Sequence, residues 1–256
     1  GRDIGGEVES VGDRVDGFSV GDAVVASGWR THAELALAPA LLTFPKPQSC
    51  TFEEAAAIPT AGRSAAAALL ERADAQPGEI VLVTAAGSGV GSFAVQIARA
   101  RGCTVVATAG PKKLGKALDI GAHAAVDHYR PDLVDAIYSA TGGRGVDVVI
   151  DHIGAPLWEA LFQVLAPYGR FVTTGVTAGH RVPLHLGQVF VRGITITGLG
   201  RPTDAQIHAT MTNLLAMIEA GTVRPIVSEV LPLTEIARAH QLMERSEFFG
   251  KIVLVP

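Results

Sequence analysis

The stretch Ile80-Val81-Leu82-Val83-Thr84-Ala85-Ala86-Gly87-Ser88-Gly89-Val90-Gly91-Ser92-Phe93-Ala94-Val95-Gln96-Ile97-Ala98 decides how this chain folds. Residues 80–84 form an unbroken apolar run closed by a threonine, the pattern of a strand covered on both faces. Val90, Phe93, Ala94, Ile97 and Ala98 recur at helical spacing, which predicts a helix over 89–101. Between them lie small residues. Glycines there permit a tight turn and a close approach of ligand to backbone. The helix start behind them offers unpaired N–H groups and about half a positive charge, which suits a diphosphate. Aligned to G-x-G-x-x-G, the motif positions are Ala86, Ser88 and Gly91, so two of three glycines are replaced. The motif is weak, and its strand-before, helix-after context carries the nucleotide reading. The plainer alternative is a turn that merely lets strand and helix pack.

Outward from this stretch the rhythm repeats. Strands are expected over 104–108, 124–126, 146–150, 170–174 and 194–199, and helices over 64–73, 112–120, 131–140, 156–165 and 204–219. Strands alternating with such helices imply βαβ units, and six strands suit a doubly wound parallel sheet. The head reads differently, with short strands over 6–11, 23–26 and 29–37 between the turn signals Gly12-Asp13 and Gly21-Asp22. Thr51-Phe52-Glu53-Glu54 reads as a capped helix start, which Pro59 closes. The tail reads as a helix over 233–244 and a strand over 251–255. The fold class is therefore α/β. A nucleotide-binding domain of residues 62–221 interrupts a smaller, mostly β domain built from 1–61 and 222–256.

Composition excludes several classes. With 21 Lys+Arg against 25 Asp+Glu, the net charge of −4 lacks the surplus that phosphate-backbone binding needs, so no nucleic-acid partner is expected. At 48% hydrophobic and 18% charged the chain is not disordered, yet no apolar run reaches the ~18 residues of a membrane span. Cys50 and Cys103 make neither a disulfide framework nor a zinc site, and a cytoplasmic setting is expected.

A sheet of this kind that binds NAD places a carboxylate on the ribose at the end of its second strand. Here that strand runs into Gly110-Pro111-Lys112-Lys113, and no Asp or Glu appears before Asp119. A missing carboxylate and an ammonium favour a 2′-phosphate, hence NADPH; the alternative is that the lysines only solvate a helix start. Among the eight histidines, His152 follows a strand end, where local bonding is the simpler reading, and none has triad or metal spacing.

The turn 85–91, the run Ser92–Ala98, Gly121-Ala122, Gly143–Val149, Gly5–Gly12, Glu53-Glu54-Ala55-Ala56 and the closing Phe249–Leu254 together resemble the medium-chain dehydrogenase/reductase superfamily. Within it the match is to the zinc-free quinone oxidoreductase (zeta-crystallin-like) branch. The resemblance spans essentially the whole chain. It implies that the split domain is GroES-like and truncated on its N-terminal side, since the chain opens on Gly1-Arg2-Asp3. It implies that Ser88, Gly89, Val90 and Gly91 line the diphosphate, Gly110 and Lys113 the 2′-phosphate, and Tyr129 the adenosine end. Ile153-Gly154 and Gly175-Val176 fall where the coenzyme crosses the sheet, and Phe190 and Lys251 near the nicotinamide.

No metal is expected. Zinc-dependent members carry Gly-His-Glu where this chain has Gly1-Arg2-Asp3, and a cysteine near Thr60. The implied activity is NADPH-dependent reduction of an electron-poor acceptor, a quinone or α,β-unsaturated carbonyl, with no assigned catalytic residue. The alternatives are an enoyl reductase domain of a polyketide or fatty-acid synthase, and a catalytically silent, crystallin-like binder of dinucleotides. The apolar edge strand 194–199 implies a homodimer.

Overall fold

In the computed structural model, which describes residues 1–256, strand pairing sorts the chain into three sheets. β1 (Asp3–Glu7), β2 (Ala23–Ser27) and β3 (Thr43–Pro45) make an antiparallel sheet. Its first strand starts earlier than 6–11 because β2 pairs Ser27 with Asp3 and Ala23 with Glu7, and then runs into the Gly21-Asp22 turn. Residues 29–37 form no strand, only a single bridge between Trp29 and Leu37. α1 (Phe52–Ala56) has the expected cap: Thr51 Oγ1 accepts Glu54 N–H and the Glu54 carboxylate accepts Thr51 N–H. Pro59 does not close that helix but opens α2 (Pro59–Ala66), where a residue without N–H costs nothing. A π-helical turn, Ala67–Arg72, continues it.

The larger unit, Ser64–Arg201, holds the expected sheet. Its elements are β4 (Ile80–Val83), α3 (Gly89–Ala100), β5 (Thr104–Ala109), α4 (Leu114–Asp119), β6 (Ala124–Asp127) and α5 (Leu133–Ala140), then β7 (Val146–Asp151), α6 (Trp158–Val164), β8 (Leu165–Thr173), α7 (Leu186–Arg192) and β9 (Thr195–Gly198). All six strands run parallel in the order β6-β5-β4-β7-β8-β9. Leu82, Val106 and Val149 pack one face of the sheet against Ile137, Trp158 and Leu161. Trp158 stacks on Phe162 at 5.2 Å and meets Phe171 edge-on at 5.1 Å. Fully burying a side chain of this size contributes about 1.5–3 kcal/mol. α7 was not expected; His185 caps it and Gly193, at φ 62°, ends it.

The smaller unit resumes at Pro202 and contains α8 (Asp204–Glu219), β10 (Val227–Pro232), α9 (Ile236–Glu244) and β11 (Lys251–Val255), with β10 and β11 paired in parallel. The second crossing between units therefore falls after Arg201, not after residue 221. α8 belongs with the antiparallel sheet: His208 meets Phe44 at 5.3 Å, and Ser49 binds Ile218 O and the Glu219 carboxylate. β10, also unexpected, begins two residues after Pro225 and ends on Pro232, which still pairs with Val255.

Candidate functional site

β4 and β7 are neighbours where the chain, having laid β5 and β6 on one flank of β4, returns to build the other. Ligands of doubly wound sheets bind beyond the carboxyl ends of strands at such a switch. Here both strands end in polar residues joined to each other. Thr84 Oγ1 donates to Asp151 Oδ1 at 2.8 Å, and the same carboxylate accepts Ile153 N–H at 3.1 Å and Gly154 N–H at 2.9 Å. Asp151 is 1% exposed, so these donors replace the water it has lost. The loop after β7 is thereby fixed. Gly154 has φ 89° and a Cβ there would collide with Gly179 O, so no other residue fits.

The turn between β4 and α3 is held as firmly. Ala85 takes φ 44°, Ala86 N–H donates to Thr108 O at 2.9 Å, and Ser88 N–H to Ala85 O at 2.9 Å. Ser88 caps α3, its Oγ accepting Gly91 N–H at 2.9 Å. Gly89 and Val90 N–H precede the first internal bonds of the helix and have no intrahelical acceptor. At Gly91 a Cβ would collide with Ala85 O and lie 2.8 Å from Ala86 Cα, so the tight turn requires glycine. Ser88 Oγ also lies 3.0 Å from His152 Nε2. Burial holds the His152 imidazole below its ordinary 6.5, against the opposing pull of Asp151, so the ring is neutral near pH 7.

The ends of β5 and β6 gather the residues expected around the ribose. Lys113 N–H donates to Gly110 O at 2.9 Å, and a Cβ on Gly110 would touch Tyr129 Cε2 at 3.5 Å. Tyr129 is exposed and meets the His128 ring edge-on at 4.4 Å. Burial and then Lys116 pull the Lys113 ammonium below its usual value, a situation that a bound anion reverses. Asp127, which ends β6, engages Tyr129 N–H at 3.0 Å.

Ser88 to Gly91 are thus together, as are Gly110 and Tyr129 with Lys113 one turn on. Ile153, Gly154, Gly175 and Val176 cluster at the ends of β7 and β8, where Thr177 N–H donates to His152 O and a Cβ on Gly175 would lie 3.2 Å from His152 Cβ. Phe190 stands on α7, 86% exposed. Lys251 lies in the smaller unit, paired with Asp3 at 2.8 Å. Thr84, Thr108 and the Ser88–His152 bond were not foreseen. The available signal was a polar residue ending each apolar strand.

A dinucleotide fits this end of the sheet. Gly89 and Val90 N–H have no intrahelical acceptor, and Thr108 Oγ1 and His128 Nδ1 are buried without a protein partner at the carboxyl ends of β5 and β6. Zinc does not fit the smaller unit. Asp3 Oδ1 accepts Thr60 N–H at 3.0 Å and the Thr60 hydroxyl, and Oδ2 is neutralised by Lys251. No three His, Cys, Asp or Glu side chains converge anywhere in the chain, whereas zinc takes three or four such ligands.

Comparison with known proteins agrees with this architecture. Residues 89–220 match the family model described as zinc-binding dehydrogenase. Quinone oxidoreductase of Rattus norvegicus is 33% identical over all of this chain and 79% of its own length. A solved NAD-dependent alcohol dehydrogenase superposes with a TM-score of 0.90 at 35% identity, covering 100% of this chain and 82% of that one. A mycobacterial protein solved with NADPH superposes with a TM-score of 0.90 at 30% identity, again over 100% and 82%. A fungal highly reducing polyketide synthase is 30% identical over the whole chain, but across only 10% of its own length. With the switch-point turn, the six-strand order and these likenesses together, the chain belongs to the quinone oxidoreductase branch of the medium-chain dehydrogenase/reductase superfamily and is an NAD(P)-dependent oxidoreductase.

Proposed function

We propose that this chain is an NADPH-dependent reductase of quinones or α,β-unsaturated carbonyls that works without zinc. The observation that carries the reading is the pairing of an anion-accepting helix start at Ser88–Gly91 with Lys113, and no ribose-binding carboxylate, after β5. Ser88, Gly89, Val90 and Gly91 would hold the diphosphate, Gly110, Lys113 and Tyr129 the phosphorylated ribose and its base. Ile153, Gly154, Gly175 and Val176 would carry the coenzyme across the sheet, with Phe190 and Lys251 toward the nicotinamide. The mycobacterial relative solved with NADPH supports this coenzyme.

Bound NADPH supplies the two electrons and one hydrogen that the acceptor gains. The protein's part is to hold the two reactants together and exclude water, and the product oxygen takes its proton from solvent. His152 is no proton donor: it is buried, neutral and engaged with Ser88. The closed Asp3–Thr60–Lys251 set supports chemistry without metal. Quinone oxidoreductases among the relatives support the acceptor class.

We also propose a homodimer joined through β9, one of the two edge strands, where Thr195 and Ile196 are exposed and α7 carries the exposed Phe190 and Val191. Light scattering at micromolar concentration should give twice the chain mass, and a monomer would reject it. No helix is long and apolar enough to cross a membrane. Cys50 and Cys103 are free, buried thiols, which suits a reducing cytoplasm. The activity test is NADPH oxidation in the presence of 1,4-benzoquinone, 1,2-naphthoquinone or a simple enone. Turnover of at least one is expected, and silence on all three would reject the reductase reading.

A further inference from the structure

Ser88 Oγ accepts Gly91 N–H and lies 3.0 Å from His152 Nε2, which leaves the direction of the second bond to be decided. The other ring nitrogen decides it. His152 Nδ1 is buried with no partner, on a side chain whose residue is only 8% exposed. If Nδ1 carried the hydrogen, a buried N–H would be left unpaired, which folded proteins rarely tolerate; a bare ring nitrogen in the same place costs less. The hydrogen therefore belongs on Nε2, which donates to Ser88 Oγ. That oxygen then accepts twice, from Gly91 and from His152, and neither group can take its own proton.

From this we infer that His152 is a positioning residue that turns the Ser88 hydroxyl outward as a donor to the coenzyme diphosphate. The bond spans the switch point, linking the turn after β4 to the strand end of β7 across 64 residues of sequence. It adds a side-chain donor to the main-chain N–H groups of Gly89 and Val90. The opposite tautomer would make Ser88 donate to His152 and leave the anion with the main chain alone.

The inference rests on the coenzyme reading above, and the experiment separates the two. Dissociation constants for NADPH and NADH are measured by fluorescence titration on the full chain and on H152F, H152Q, S88A and S88A/H152F. H152F should weaken both coenzymes alike, by about tenfold, because both carry the diphosphate. H152Q, whose amide N–H replaces the imidazole donor, should recover most of that loss. In the double variant H152F should add nothing to S88A, a coupling that a merely structural role does not produce.

The histidine ¹⁵N spectrum of the unmodified chain should show His152 protonated at Nε2, a reading that does not depend on any variant folding. Unchanged binding by H152F, additive losses in the double variant, or an Nδ1-protonated ring would overturn the inference while leaving the coenzyme reading intact. An unmodified chain that binds neither coenzyme would overturn that reading itself.

Discussion

Asp3 and Asp151 are both carboxylates with hydroxyl and main-chain donors around them, yet the two regions end in opposite electrical states. At Asp3 the charge meets Lys251 at 2.8 Å and the set is closed within the protein. At Asp151 the donors are Thr84, Ile153 and Gly154, no cation joins them, and the carboxylate spends itself on holding backbone. Beside it Gly89 and Val90 N–H at the start of α3 have no intrahelical acceptor, and Thr108 Oγ1 and His128 Nδ1 are buried with no protein partner. A region that neutralises itself serves structure; a region whose scaffold is satisfied but whose outward donors are not is prepared for a ligand. This contrast separates the proposed coenzyme site from the position that the sequence resemblance matches to the ligands of zinc-dependent members.

The largest test strikes the scaffold. Asp151→Ala leaves the Ile153 and Gly154 N–H groups without that acceptor and the buried Thr84 hydroxyl with only Ile150 O at 3.5 Å, and should cost about 3–5 kcal/mol in urea unfolding; a loss below about 1 kcal/mol would show that the carboxylate does not order the loop. Next comes the closed set. Lys251→Met should cost about 1–2 kcal/mol, with zinc giving no rise in melting temperature for either protein. Stabilisation by zinc would erase the contrast.

A smaller effect is read from pH. Burial holds His152 below 6.5, so the unfolded chain binds the extra proton first. The contribution is fully present above 6.5 and fades as pH falls below it, with a slope of at most about 1.4 kcal/mol per pH unit for this residue. H152Q should flatten the slope on that acid side, and an unchanged slope would contradict a buried neutral ring. Smallest of all, Ala85→Gly relieves a left-handed residue in the turn and should raise stability by up to about 1 kcal/mol. A fall would show that the turn does not strain it.

Much of this was legible because it is local. The run from Ile80 to Ala98 announces its strand, turn and helix through residues in sequence contact, and the same holds for the cap at Thr51. What escaped depends on distant partners. The pattern of helix Asp204–Glu219 gives its bounds but not its neighbours, since an apolar stripe of Ile207, Met211, Leu214 and Ile218 does not say that Phe44 will meet His208. The Ser88–His152 bond was invisible for the same reason. Lys113 was legible as a charge near a strand end, whereas its pull by burial and Lys116 required the fold.

The most direct measurement compares NADPH and NADH affinity in the full chain and in Lys113→Glu. The account predicts that NADPH binds at least about tenfold tighter, and that the charge reversal removes or inverts the preference while NADH still binds. Equal or tighter binding of NADH by the unmodified chain, or no binding of either coenzyme, would contradict it.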